Sequence, residues 1–475
     1  VGVANAIKNS ITRVLNARLT RAKPMLSSSS PGYLTSEWIR SGNCLAKKQL
    51  INTSISECEV NSIYNGILWT LSNDCVGACP HPLALMDGPS YIVDKLADAI
   101  EDQFVEWAIH NEIGSSLREM RFKAAQTGIA VGIPFKTARD REYAVKVGLQ
   151  VVGAEYLTNP PITDNPLIQD GIEYWSNGQI RAVYILEDDK MHPTRYSAKD
   201  VIIWSRKRLH HLWPECAPAF EIYPSIRRHI TNMMRANEFH SSIPLFLKLD
   251  QSWPKVSSGQ LPDMKGFKYQ PGQVPLLPPG TELEAVNIPG LAEDRRANSN
   301  MLVSTASRCI NMPEPIAIMY SGNSNMATAY GDRQLWSYEV NIDRFDFERT
   351  VRFVFYKWYE IASKSDSVLP ESARFYPKPS VSFNYSVLFE HPDPSKRAAA
   401  HTQNIASGAS TITRIYADQS RSARREIQKE CKLLGISTRE WFDSRILQQQ
   451  NEVSNANSQN QDQQDQTKQR SKQRT

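Results

Sequence analysis

Cys75, Cys79 and His81, close together in one short stretch, and the adjacent pair His210 and His211 are where residue type and spacing could support chemistry. Thiolates and neutral imidazoles are the donors that zinc prefers, and paired imidazoles can hold a metal or move a proton. A structural zinc site needs four such ligands, and no second Cys or His pair follows at ligand spacing. Asn73–Pro82 therefore reads as an ordinary turn or loop. The stretch from Arg206 to Pro214 reads as a surface loop, since no carboxylate or cysteine is placed beside its histidines. The sequence also contains no Gly-rich phosphate loop, His-Glu-x-x-His, nucleophile elbow or paired-carboxylate motif. An enzyme, metal-dependent or hydrolytic, built on Cys75, Cys79 and His81 or on His210 and His211 stays open as the alternative reading. No cofactor and no bound metal are expected.

A chain of 475 residues suggests about three domains, and 41% apolar residues suffice for sizeable cores. The formal net charge of +5 permits nucleic-acid contact without arguing for it. Seven scattered cysteines, an odd number, speak against a disulfide framework and for a reducing compartment. No apolar run approaches the roughly 18 residues of a membrane span. Residues 1–21 carry Lys8, Arg13, Arg18 and Arg21 with no acid, and read as a basic N-terminal arm. Residues 22–36 form a flexible connector, and the Gln/Asn/Ser-rich residues 448–475 a disordered polar tail.

The elements that would position any site divide by period. Helical spacing runs from Cys44 to Asn73 through Ile55, Val60, Ile63, Tyr64, Ile67 and Leu68, and again over 89–125. The period then changes. Ile129–Ile133, Val145–Val152, Ile172–Trp175, Ile180–Leu186 and Val201–Trp204 read as short strands of one small, mostly antiparallel sheet, so the fold class is α+β. A basic helix covers Ile222–Phe239. Strand-like pieces follow at Leu245–Leu249, Phe267–Tyr269 and around Glu284. Helix returns from Ala292 and stops at Pro313 and Pro315. A loop over Ile316–Met326 precedes a long helix from about Thr328, with Trp336, Val340, Phe347, Val351, Val354 and Trp358 on one face. Ser363–Ser380 reads as a polar connector and Phe383–Glu390 as a last strand. Asp393 and Pro394 suit the cap and first position of a helix ending at Gly408, and a further helix closes on Gly435.

The C-terminal block, Asp393-Pro394-x-Lys396, Gly408-Ala-Ser-Thr411 and Glu426-x-x-x-Glu430-x-x-x-x-Gly435-Ile, resembles the lambda-type bacteriophage portal protein family. Further segments resemble that family in the same order: Gln150–Pro160, Gly171-Ile-Glu173 to Gly178, Ser197–Ile202, Pro279–Glu284 and Ala306–Asn311. The match spans about residues 45–436. It departs at Asn325–Tyr330, at Ile129 where an acid is usual, and at Leu209–Pro214.

The resemblance implies a portal-protein fold with a helical stem, a β-rich clip, an α/β wing and a helical crown. Residues 22–217 and 328–390 would be the wing and 218–244 and 291–312 the stem helices. Residues 245–290 would then be the clip, 313–327 the tunnel loop and 391–447 the crown. It implies no catalysis, but a dodecameric ring at one capsid vertex through which double-stranded DNA is packaged and ejected. The implied partners are the large terminase subunit, the major capsid and scaffold proteins and a head–tail completion protein, with no membrane. The location would be the virion, or the host cytoplasm during assembly. A domesticated portal from a defective prophage or gene-transfer particle fits the same residues. The implied DNA-channel candidates are Tyr320, Ser321, Asn323, Ser324 and Asn325 of the tunnel loop. Arg227, Arg228, Arg295, Arg296 and Arg308 are the basic candidates of the stem.

Overall fold

The computed structural model describes residues 44–86, 90–137, 145–161, 165, 167–187, 190–206, 213–241, 245–249, 281–285, 291–320, 325–365, 367–386, 388, 393–412, 415–416 and 423–443. In chain order the elements begin with α1 (Cys44–Val60), α2 (Ser62–Val76), β1 (His81–Leu85), α3 (Ser90–His110) and α4 (Ile113–Thr127). Strands β2 (Ala130–Lys136), β3 (Val147–Gly153), β4 (Ile168–Gln169), β5 (Ile172–Tyr174), β6 (Ile180–Ile185), β7 (Thr194–Ser197) and β8 (Ile202–Trp204) follow. Next come α5 (Ile222–Ser241), β9 (Leu245–Leu249), β10 (Thr281–Ala285), α6 (Leu291–Ser307), α7 (Glu314–Ala317) and α8 (Met326–Ala362). The last are β11 (Ser380–Asn384), α9 (Pro394–Ala406) and α10 (Ala423–Leu434). This is an α+β chain. Among the described residues no helix is long and apolar enough to cross a membrane.

The chain divides into two compact units, the first made of Val1–Leu68 and Leu209–Asp332. Its expected single N-terminal helix is two. Asn61 breaks it: the Asn61 side-chain oxygen accepts from the backbone N–H of Ile63 at 3.2 Å and Tyr64 at 3.3 Å, which caps α2. Val60, expected in the core, is instead 57% exposed. Tyr64 is fully buried, its hydroxyl 2.7 Å from Ser54 Oγ and its ring 4.6 Å from that of Tyr223. Helix α5 packs on α6, and β9 pairs antiparallel with β10 from Thr281↔Leu249 to Ala285↔Leu245. The strand expected at Phe267–Tyr269 lies outside the described residues.

The second unit comprises Trp69–Arg208 and Arg333–Thr475. Its core joins α3, α4, α8 and a three-stranded sheet of order β3-β2-β8. Phe104, Trp107, Phe355 and Trp358 meet there at ring separations of 5.2–6.2 Å. A small cavity of about 20 Å³ lies between Trp107, Trp358, Ile202 and Leu149. The α8 positions named from periodicity are all buried. The single sheet expected between 129 and 204 is in fact two, because β4-β5-β6-β7 forms its own four-stranded sheet. Strand β1 begins at His81, inside the stretch expected as a loop to Pro82, and pairs antiparallel with β11. The last strand, Ser380–Asn384, begins three residues before the expected start at Phe383 and does not include Tyr385, Ser386 or Leu388; the rest of the expected span to Glu390 lies outside the described residues. The expected polar connector before it buries Val368, Leu369 and Ala373 and contains a 3-10 turn at Glu371–Arg374. Asp393 caps α9 as expected, accepting from the backbone N–H of Ser395 and Lys396.

Candidate functional site

The tunnel-loop candidates follow α6. The α6 helix closes in a 3-10 turn, Arg308–Ile310, and Asn311 leaves it in the left-handed region at φ 58°. Pro313 then sets an extended entry to the one-turn helix α7, with Pro315 in its first turn, where a missing N–H costs no helical bond. Expected as loop, this stretch is therefore partly helical. Met319 is left-handed at φ 51° and 83% exposed, and Tyr320 beside it is half-exposed, its N–H donating to Pro315 O at 3.0 Å.

Asn325 has a structural task that its residue type could have announced. Its side-chain oxygen accepts from Thr328 N–H at 2.8 Å and Thr328 Oγ1 at 2.9 Å, which caps α8. Ser321, Asn323 and Ser324 lie outside the described residues. Two acids that the sequence reading did not single out stand near this segment. Burial, with the charge of Asp332, raises the pKa of Glu314 from its ordinary value.

The basic stem candidates separate by environment. Arg227 on α5 donates to Glu57 of α1 at 2.7 Å, so its charge is committed within the unit. Arg228 on α5 and Arg308 after α6 are solvent-exposed. Arg295 and Arg296 fall in the first turns of α6, and their side chains are outside the described residues.

The Cys75–Cys79–His81 stretch does not converge on a common point. Cys75 is fully buried at the end of α2, inside the core. Burial pushes the Cys79 thiol up to about 11, against a weaker opposing pull from Arg118, so it stays protonated at neutral pH. The His81 ring Nδ1 faces Pro82 O at 2.9 Å on β1. What pins the turn is Arg118, which donates to Gly77 O and Ala78 O, each at 2.8 Å. Among the described residues no three His, Cys, Asp or Glu side chains gather as metal ligands. His210 and His211 lie outside the described residues.

Helix α8 carries two features that the sequence reading passed over. Its buried face holds charge. Arg121 Nε donates to Asp343 Oδ2 at 2.7 Å with both side chains fully buried, and Arg206 reaches both Asp343 and Glu339. Arg344 donates to the backbone oxygens of Asp74 and Ser386, and its guanidinium lies 5.1 Å from the Tyr385 ring centroid. Burial lowers the Arg344 pKa and raises that of Asp74, whose carboxylate accepts from Trp336 Nε1 at 2.7 Å. On a different face stand Leu335, Tyr338, Ile342 and Phe345, exposed by 65%, 61%, 56% and 78%. Their spacing of three, four and three residues aligns them in one stripe.

No family model matches this sequence, and no curated protein matches it. Among solved structures, a chain from the neck of an empty gene transfer agent (GTA) particle, computed with C6 symmetry, is similar. The identity is 9% over 82% of this chain and 94% of that one, with a TM-score of 0.40. A chain from the neck of the native GTA particle, computed with C12 symmetry, gives 10% over 78% and 93%, with a TM-score of 0.38. An HK97-family phage portal protein from Corynebacterium diphtheriae gives 10% over 58% and 82%, with a TM-score of 0.28. Scores of this size assign no role to any residue.

Proposed function

We propose that this chain is the subunit of a portal ring, a non-catalytic conduit at one capsid vertex through which double-stranded DNA enters and leaves. The observation that carries this reading is the second stripe of α8. The 37-residue helix covers one face with its own chain and leaves Leu335, Tyr338, Ile342 and Phe345 bare. Contiguous apolar patches on a surface mark interaction sites, and a closed ring sets one face of each subunit against a different face of the next. The ordered portal-like motifs from residue 45 to 436 support the same reading.

On this proposal α5 and α6 are the stem, β9 and β10 belong to the clip, and 313–327 is the tunnel loop. The wing takes 22–217 and 328–390, the crown 391–447. Arg228 and Arg308 are the stem's DNA-facing cations, whereas Arg227 is held by Glu57. Glu314 and Asp332 would temper the channel's attraction for phosphate, which suits a duplex that must slide rather than stick. Terminase, the capsid and scaffold proteins and a head–tail completion protein are the partners this role requires. A gene-transfer particle or defective prophage uses the same geometry, and neighbouring genes distinguish these from an infectious phage.

The test is electron microscopy of the full chain, co-expressed with its capsid and scaffold proteins, together with its mass in solution. Rings with a hole wide enough for a DNA duplex are expected. Monomers or dimers under those conditions overturn the proposal.

A further inference from the structure

Inside the first unit, three thiols and two phenols gather that the proposed conduit does not use. Cys58 lies on α1. Cys216 directly precedes the 3-10 turn Ala217–Ala219 that leads into α5, and Cys309 sits in the 3-10 turn after α6. The turn that Cys216 opens packs against α6. Cys216 is fully buried, and the neighbouring Cys309 thiol, together with burial, raises its pKa well above the ordinary value. Tyr223, whose buried hydroxyl has no hydrogen-bond partner among the described residues, neighbours Cys216. Cys309 is only partly buried, and its S–H donates to Ala306 O at 2.9 Å.

The placement of the pair matters as much as its contact. Cys216 precedes α5 and Cys309 follows α6, while the other ends of the two helices lead to β9 and β10, which pair with each other. The helices therefore run antiparallel, with the two thiols together at one end. We infer that Cys216 and Cys309 are a disulfide-forming pair that staples the base of the α5–α6 hairpin on exposure to a peroxide.

The chemistry balances with hydrogen peroxide as oxidant. The accessible Cys309 loses its proton and its sulfur attacks one peroxide oxygen. The O–O bond breaks, and the departing hydroxide takes up a proton to leave as water, which leaves a sulfenic acid on Cys309. Cys216 then gives up its proton and attacks the Cys309 sulfur. The S–O bond breaks and a second water leaves. Two thiols and one peroxide become one disulfide and two waters. Contact with Cys309 and burial both keep the Cys216 thiol protonated, so this second step is slow but intramolecular.

The experiment treats the purified full chain with hydrogen peroxide and maps cross-linked peptides by mass spectrometry without reduction. One dominant link, Cys216–Cys309 within a single chain, is expected. It should vanish in C216S and in C309S, persist in C58S and reverse with dithiothreitol. The linked chain should also unfold at a higher temperature and lose its α5–α6 region to protease more slowly. Should C216S not fold, alkylating Cys309 in the native chain gives the same control. A dominant link to Cys58, or Cys309 oxidised to the sulfinic acid with no link, overturns the inference. A fully linked chain that melts like the reduced one overturns the staple. None of these readouts depends on ring formation.

Discussion

Asp343 is fully buried on α8, yet its carboxylate is within reach of two guanidiniums: Arg121 at 2.7 Å and Arg206 at 3.4 Å. Removing one partner of a buried pair strands the other, which costs about 3–5 kcal/mol, whereas replacing both with apolar groups is often close to neutral. Asp343→Leu should therefore destabilise by that amount in urea unfolding, and adding Arg121→Met should recover much of the loss. Arg206 retains Glu339 in either variant, which keeps the comparison on one pair. Glu173 on β5 provides a pH readout. The Arg195 guanidinium, donating at 2.8 Å, holds its carboxyl below the ordinary 4.5. A depressed carboxylate contributes stability that is complete above its unfolded value and is lost as pH falls through the lower folded value. The melting-temperature gap between native protein and Glu173→Gln should thus be widest near neutral pH and shrink below about pH 4.3. An equal gap at pH 7 and pH 3 would show that the ion pair contributes nothing.

Gly114, in the first turn of α4, packs so tightly on the turn after α2 that a Cβ would stand 2.1 Å from Ala78 O. Backbone cannot yield as a flexible side chain can, so Gly114→Ala should cost about 1–3 kcal/mol through overpacking, although alanine is the better helix former. Asn325→Ala should cost about 1 kcal/mol by removing the α8 cap, visible in the same thermal melts. Neither task was read from the sequence, although other features were. The helices were legible because their apolar residues repeat at 3.6 over many turns, as in Trp336 to Trp358, and because Asp393-Pro394 is a local start signal. The position of Asp343 between Val340 and Phe347 even carried the clue to its burial. Strand β4 has two residues, β7 is the polar Thr194-Arg-Tyr-Ser197, and β1 contains Pro82. Their pairing comes from partners that no local period announces, and for β1 that partner is β11, far along the chain. The candidate site divides in the same way. Asn325 is a cap by residue type, while the commitment of Arg227 to Glu57 depends on a long-range contact across α1 and α5.

At the scale of the whole molecule the question is what covers α8. A helix whose second face were merely solvated would place charged and small polar groups there, as α8 does at Asn341, Asp346 and Arg349, all exposed. Between these stand Leu335, Tyr338, Ile342 and Phe345, four large apolar side chains that an isolated chain leaves in water. Each gains about 1.5–3 kcal/mol if a neighbouring subunit buries it, so a stripe of four is enough to decide assembly. The double variant Ile342→Glu/Phe345→Glu places charge where the proposed interface would exclude water. Because both positions are exposed within the chain, its melting temperature and circular dichroism as a monomer should stay near those of the native chain. Its solution mass should fall from ring to monomer. Val340→Glu is the contrasting control: that position is fully buried, and the same charge there should unfold the second unit rather than merely separate subunits. Rings that survive Ile342→Glu/Phe345→Glu intact would move the subunit interface off this stripe and remove the observation on which the conduit proposal rests.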